Sequence, residues 1–187
     1  MDETSAAANL GEHDRIVFHN TSDAFDAFDL GRCGRGGDAN SHLGVHLAEE
    51  ARVAAEYAEA AAARRGGEAQ VLVVRAVTAS PLAGFDYYAF FGYGHDGGSV
   101  IGPEEFARRR LELIAQGYDS VDYQDGEQTI CVSLDPTLLG IVAVLTPAEA
   151  AEVGERIEAL PDLEDDRARL GIVAHTVAAR STTPRAV

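Results

Sequence analysis

The chain has 187 residues, 46% apolar and 25% charged, enough for one domain with its own core and too few for two. Its formal charge of −16 excludes a protein that holds nucleic acid by its overall field. No apolar run approaches the ~20 residues of a membrane span, so no transmembrane helix is expected.

A local basic cleft is compatible with that charge, because arginines cluster at Arg32 and Arg35, at Arg64–Arg65 and at Arg108–Arg110. All basic side chains are arginine; the absence of lysine fits either coding bias or adaptation to salt. The opening Met1-Asp2-Glu3-Thr4-Ser5 lacks the basic and apolar regions of a secretion signal, which predicts cytoplasmic residence or export by a route that reads no such signal. Cys33 and Cys131 read as free thiols, and no cysteine–histidine cluster has zinc spacing.

Residues 1–14 are small, polar and acidic without a period, and read as a tail. Arg15 to His19 reads as the first core strand. Asp23 to Phe28, with two phenylalanines three apart, suits one helical turn over that strand, capped by Ser22 or Asp23. Gly31-Arg32-Cys33-Gly34-Arg35-Gly36-Gly37 is too glycine-rich for a helix or a strand and reads as a mobile loop. Leu43 to Leu47 reads as a second strand. Glu49 to Arg65 is alanine-rich, acidic at its start, basic at its end and followed by Gly66-Gly67, the pattern of a helix that complements its own dipole.

Val71 to Val77 reads as a buried strand, from which Ser80 to Gly84 turns away. Phe85, Tyr87, Tyr88, Phe90 and Phe91 form either an aromatic layer over the core or a wall for stacking on a base or a target side chain. Pro103 to Gln116 has proline at the first helical position and Gly117 as its stop. Tyr118–Tyr123, Thr129–Leu134 and Leu139–Leu145 read as three short strands with turns at Asp125-Gly126 and Asp135-Pro136. Thr146-Pro147-Ala148-Glu149 is a capping box opening a helix to about Ala159, and Arg167 to Arg180 reads as a last helix. The expected domain plan is a tail (1–14), a functional domain (15–145) and a helical C-terminal appendage (146–187).

Two of the strands carry one histidine each. His19 is followed by Asn20-Thr21-Ser22, and Gly44-Val45-His46-Leu47-Ala48 leads into the helix containing Glu56-Tyr57-Ala58. These segments, in this order, resemble the NAD-using ADP-ribosyltransferases, including the toxin-like members and those of phages and mobile elements. Gly117-Tyr118-Asp119-Ser120-Val121 and Val132-Ser133-Leu134-Asp135-Pro136 are similar to that family's third region. The resemblance implies an α+β fold, with split antiparallel sheets around an NAD cleft. It also implies that His19 meets the adenosine-side ribose and that backbone at Thr21 and Gly44 meets the nicotinamide amide, with Asn20 and Val45 beside them.

His46 stands where many members carry a tyrosine, and Val45-His46-Leu47 looks like the RNA 2′-phosphotransferase branch. That branch also has an apolar residue where others keep a catalytic glutamate; here the position falls near Ile130. Glu127 and Gln128, just before that strand, are the candidate substitutes, and with His19 and His46 they complete the expected catalytic set. Arg32 and Arg35 are candidates for bidentate contact with the pyrophosphate. No metal site is expected. His13, His42, His95 and His175 sit in polar or variable contexts and read as surface residues.

The expected function is NAD-dependent transfer of ADP-ribose to an acceptor that is protein, nucleic acid or small molecule. Two other readings fit the same residues: an RNA 2′-phosphotransferase-like enzyme, and a module that binds NAD or a nucleotide without turning it over. The C-terminal helices would suit a neutralising partner protein or a lid.

Overall fold

The computed structural model describes residues 10–32, 39–83 and 101–182. The aromatic run from Phe85 to Phe91, together with Arg35 and Cys33, lies outside them. Seven strands form one mixed sheet: β1 (Asp14–Thr21), β2 (Val45–Ala48), β3 (Gln70–Val77), β4 (Pro81–Leu82), β5 (Ser120–Asp125), β6 (Gln128–Ser133) and β7 (Leu139–Leu145). Four α-helices accompany it: α1 (Ala51–Arg65), α2 (Pro103–Ala115), α3 (Pro147–Glu158) and α4 (Asp166–Thr182). The fold is α+β, with strand order β4-β5-β6-β2-β1-β3-β7. Among the described residues, no helix is long and apolar enough to cross a membrane.

Register explains how one sheet behaves as two. β1 pairs with β3 along all eight residues, and β2 pairs with β6 along all four. Between these halves β1 and β2 share a single partnership, Phe18 with Ala48. The halves are therefore joined at one point and fork away from it. Every neighbouring pair is antiparallel except β4 on β5. Ser80 to Gly84 does leave β3, and its Pro81–Leu82 becomes an edge strand on the far side of the sheet. Asp119 fastens it there, accepting from Ser80 N at 2.8 Å and donating from its own N to Ser80 O at 3.2 Å.

The larger core lies on one face. Ile16 and Phe18 of β1 meet Val71 and Val73 of β3, with Val121, Ile130 and Val132 from the other half. Alanines Ala51, Ala54, Ala55 and Ala58 let α1 lie close over this face, and Gly154 of α3 admits it further, since a methyl there would touch Arg52 N at 3.4 Å. The described part of the C-terminal region does not stand apart: Ala150, Val153, Ile157, Leu170 and Val173 belong to the same core. The expected capping box forms, with Thr146 N donating to Glu149 Oε2 at 2.8 Å and Glu149 N donating to Thr146 Oγ1 at 3.3 Å. Arg180 ties α4 to α3 through Glu149. A smaller core on the opposite face holds Val17, Val45, Leu47, Leu72, Val74 and Cys131, with Phe25 and Phe28 packed on it. Cys131 is buried and unbonded, and burial pushes its thiol far above the ordinary value.

The helical turn expected over Asp23–Phe28 does not form; the segment is a run of bends. Thr21 Oγ1 accepts from Asp23 N at 3.0 Å and donates to Asp23 O at 3.0 Å, which closes a local turn in place of a helix cap. Gly67 then packs on the chain here, where a side chain would collide with the Ser22 carbonyl and where φ is +89°.

The closed end of the fork carries a charged clamp. Arg15 Nη1 on β1 donates to both carboxylate oxygens of Asp122 on β5, at 3.1 and 2.9 Å, and Arg15 also pairs with Glu49. Asp166 of α4 accepts from Ile16 N at 2.7 Å, while Arg169 donates to the Glu49 carbonyl and stacks over Phe18 at 5.8 Å. These side chains span the two half-sheets where the backbone does not. Arg15→Met leaves two partly buried carboxylates unpaired, and we expect it to cost about 2 kcal/mol in urea unfolding. A loss below about 0.5 kcal/mol would show that the clamp contributes nothing.

Candidate functional site

Phe18 and Ala48 are the last point of contact between β1 and β2. The register would next set Asn20 against His46, but no pairing forms there. The imidazole of His19 takes the place of the ladder, with Nδ1 2.9 Å from the His46 carbonyl oxygen. Because a carbonyl only accepts, Nδ1 carries the proton and Nε2 is left as an acceptor. His19 thus bridges the mouth of the fork and offers a lone pair beside it.

Alternation sends the two histidines to different faces. His19 pairs with Leu72 of the smaller core, while His46 pairs with Val132 of the larger. Both nevertheless line one cleft of about 470 Å³, because the fork opens between them. That volume lies within the range of small-molecule and cofactor sites. On the His19 side the wall is Phe28 at 5.2 Å and Phe25 at 6.2 Å, both edge-on to the imidazole. On the other side His46 meets Tyr123 edge-on at 6.5 Å.

Burial lowers the pKa of His19, helped by the Arg65 charge and opposed by the bond to His46. The neutral ring is the one the bridge needs. An unfolded chain takes up this proton near pH 6.5 and the folded chain only at lower pH. The unfolded state therefore binds more protons between those values, so stability is complete above pH 6.5 and falls as the pH drops through the window, by at most about 1.4 kcal/mol per unit. His19→Asn should flatten this slope in urea titrations between pH 7.5 and 5.5. An unchanged slope would place its origin elsewhere.

Of the residues singled out in the sequence, His19, Asn20, Thr21, Arg32, Gly44, Val45 and His46 line the cleft. Gly44 has a packing reason as well: a methyl there would run into the Ser133 carbonyl oxygen, so only glycine lets the entry to β2 lie so close to β6. Ile130 lines the cleft at 7% exposure, between Ala48 and Tyr123.

Glu127 and Gln128 do not line it. The hairpin register explains why: Asp125 pairs with Gln128, Gly126 takes φ +64°, and Glu127 is exposed at the tip. The same register brings Tyr123 and Asp125, two residues apart on one face of β5, to the cleft. Neither is singled out in the sequence, where the alternation along Ser120–Asp125 was the available signal. Tyr57, Arg64 and Arg65 reach the cleft from α1. Arg108 and Arg109 are spent on Glu105 and Arg110 on the Leu134 carbonyl, away from the cleft. Among the described residues, no group of histidine, cysteine or carboxylate side chains is arranged to hold a metal ion.

No family model and no curated protein matches the chain. Among solved structures it is similar to a chain in the crystal structure of the M. tuberculosis MbcT–MbcA toxin–antitoxin complex, at 15% identity and a TM-score of 0.46. The match covers 80% of this chain and 93% of that one.

Proposed function

We propose that the protein cleaves the nicotinamide–ribose bond of NAD and transfers ADP-ribose to an acceptor that arrives with its own nucleophile. The observation that carries this reading is the fork itself, a cleft at the single joint of two half-sheets, bridged by His19 and walled by His46 and aromatic rings. Nε2 of the neutral His19 would accept from a ribose hydroxyl, and the edge-on rings at the His19 and His46 ends would hold flat heterocycles. In the transfer, the C1′–N bond breaks and its electron pair leaves on neutral nicotinamide, while a lone pair of the acceptor forms the new bond to C1′. The leaving group is already good, so positioning and the field of the site supply much of the catalysis.

The third family position is Ile130, and β6 brings no carboxylate to the cleft beside it. An acceptor that must first lose a proton would find no base on that strand, whereas an anionic acceptor needs none. The RNA 2′-phosphotransferase-like reading is the special case in which that anion is a phosphate of the target. Isothermal titration with NAD and chromatographic assay of free nicotinamide test the proposal together. Binding with slow nicotinamide release supports it; binding without release leaves a nucleotide-binding module; no binding refutes it. Glu127→Ala should leave the release rate within about twofold, because the side chain stands outside the cleft.

A further inference from the structure

We propose that Arg32, Arg64 and Arg65 form a phosphoryl subsite around the His19 end of the cleft, built to take the diphosphate of a nucleotide. The inference deepens the NAD reading and rests on it.

The charge balance of the cleft is unlike that of the chain. Over the sequence, 31 acidic residues face 15 basic ones. Along the cleft, Arg32, Arg64 and Arg65 stand against Asp23, Asp29 and Asp125, three to three. Elsewhere arginines are spent: Arg15, Arg52, Arg108, Arg109 and Arg180 each reach a carboxylate. None of the three cleft arginines has a carboxylate within 4 Å among the described residues. In so acidic a chain, leaving three exposed guanidinium groups unpaired in one cavity forgoes available pairing.

Their placement is convergent. Arg32 stacks over Phe25 at 5.4 Å, and Phe25 is itself edge-on to His19. From the opposite side, Arg65 lies close enough to His19 for its charge to oppose protonation of the ring. The end of α1 needs only one cation for its own dipole, and Arg64 supplies it, with Nε donating to the Ala60 carbonyl at 3.3 Å. Arg65 has no such duty. The aspartates do not compete: Asp29 Oδ1 accepts from Gly31 N at 2.9 Å, turned to its own loop. Planar forks on two sides of a neutral imidazole are suited to phosphoryl oxygens, which they bind in bidentate fashion.

The test is calorimetric titration of the folded protein with ADP-ribose, adenosine and inorganic pyrophosphate. It compares wild type with Arg65→Gln, Arg64→Gln and Arg32→Gln, with Arg75→Gln outside the cleft as a charge control. Each cleft variant should weaken ADP-ribose about 10-fold and abolish measurable pyrophosphate binding, leave adenosine unchanged, and regain part of the loss as Arg65→Lys. ADP-ribose affinities within twofold of wild type in all three variants would overturn the subsite. Arginine-dependent binding of ADP-ribose without binding of NAD would sink the NAD reading and keep the subsite. NAD binding indifferent to the three variants would do the reverse, and no binding of any probe would remove both.

Discussion

His19→Ala is expected to reduce nicotinamide release from NAD by about 100-fold or more, the largest functional effect of any single change in this chain. Two losses combine. The ring acceptor beside the cleft disappears, and so does the Nδ1–H bond of 2.9 Å to the His46 carbonyl that fixes the width of the fork. Because β1 and β2 have only the Phe18–Ala48 pairing beside this bond, no backbone ladder compensates. His19→Asn separates the contributions: its amide can still reach a carbonyl but has no ring nitrogen, so it should keep more of the fold's stability than alanine and little more of its activity. A His19→Ala protein with wild-type release would refute the proposed role outright.

Gly44→Ala should be the most damaging conservative substitution, costing on the order of 3–5 kcal/mol or preventing soluble expression. The added methyl meets a backbone carbonyl, Ser133 O, which cannot rotate away as a side chain would. Relief requires β2 to move off β6, and His46, Val45 and Leu47 move with it. Gly140→Ala is the control, since nothing stands within 4 Å of a methyl there and its φ is not positive. That variant should melt within a few degrees of wild type. If both variants melt alike, close approach at Gly44 is not what its backbone is for, and the site must be re-examined in terms of a ligand contact alone.

Much of the scaffold could be read from local chemistry. Leu139–Leu145 and the capped helix after Thr146 stand where turn and cap residues put them, because those signals act over a few residues. What escaped reading depends on partners distant in sequence. Pro81–Leu82 becomes a strand only because β5 is there to pair with it, and the clamp joins Arg15 to Asp122 across 107 positions. The Asp23–Phe28 segment misled through its spacing: its phenylalanines serve a ring, His19, and the hydroxyl of Thr21 takes the turn that a helix would have used.

For the site, residues carried by distinctive motifs, His19 to Thr21 and Gly44 to His46, gather at one place. The residues inferred by counting along a strand, Glu127 and Gln128, fall on the hairpin tip, because a two-residue turn at Gly126 fixes which side chains of β5 and β6 look inward. A motif names its own position; a count inherits every uncertainty in register between its origin and its end.

A joint of one residue pair also has a mechanical consequence. The β1–β3–β7 plate and the β4–β5–β6–β2 plate are each stitched internally along their length, so thermal motion of lowest cost is a rocking of one plate against the other about Phe18 and Ala48. Amide protons of β3, bonded on both sides, will then exchange with solvent only when the whole chain unfolds, while the edge of β2 that faces the fork exchanges through this rocking, on a far shorter timescale.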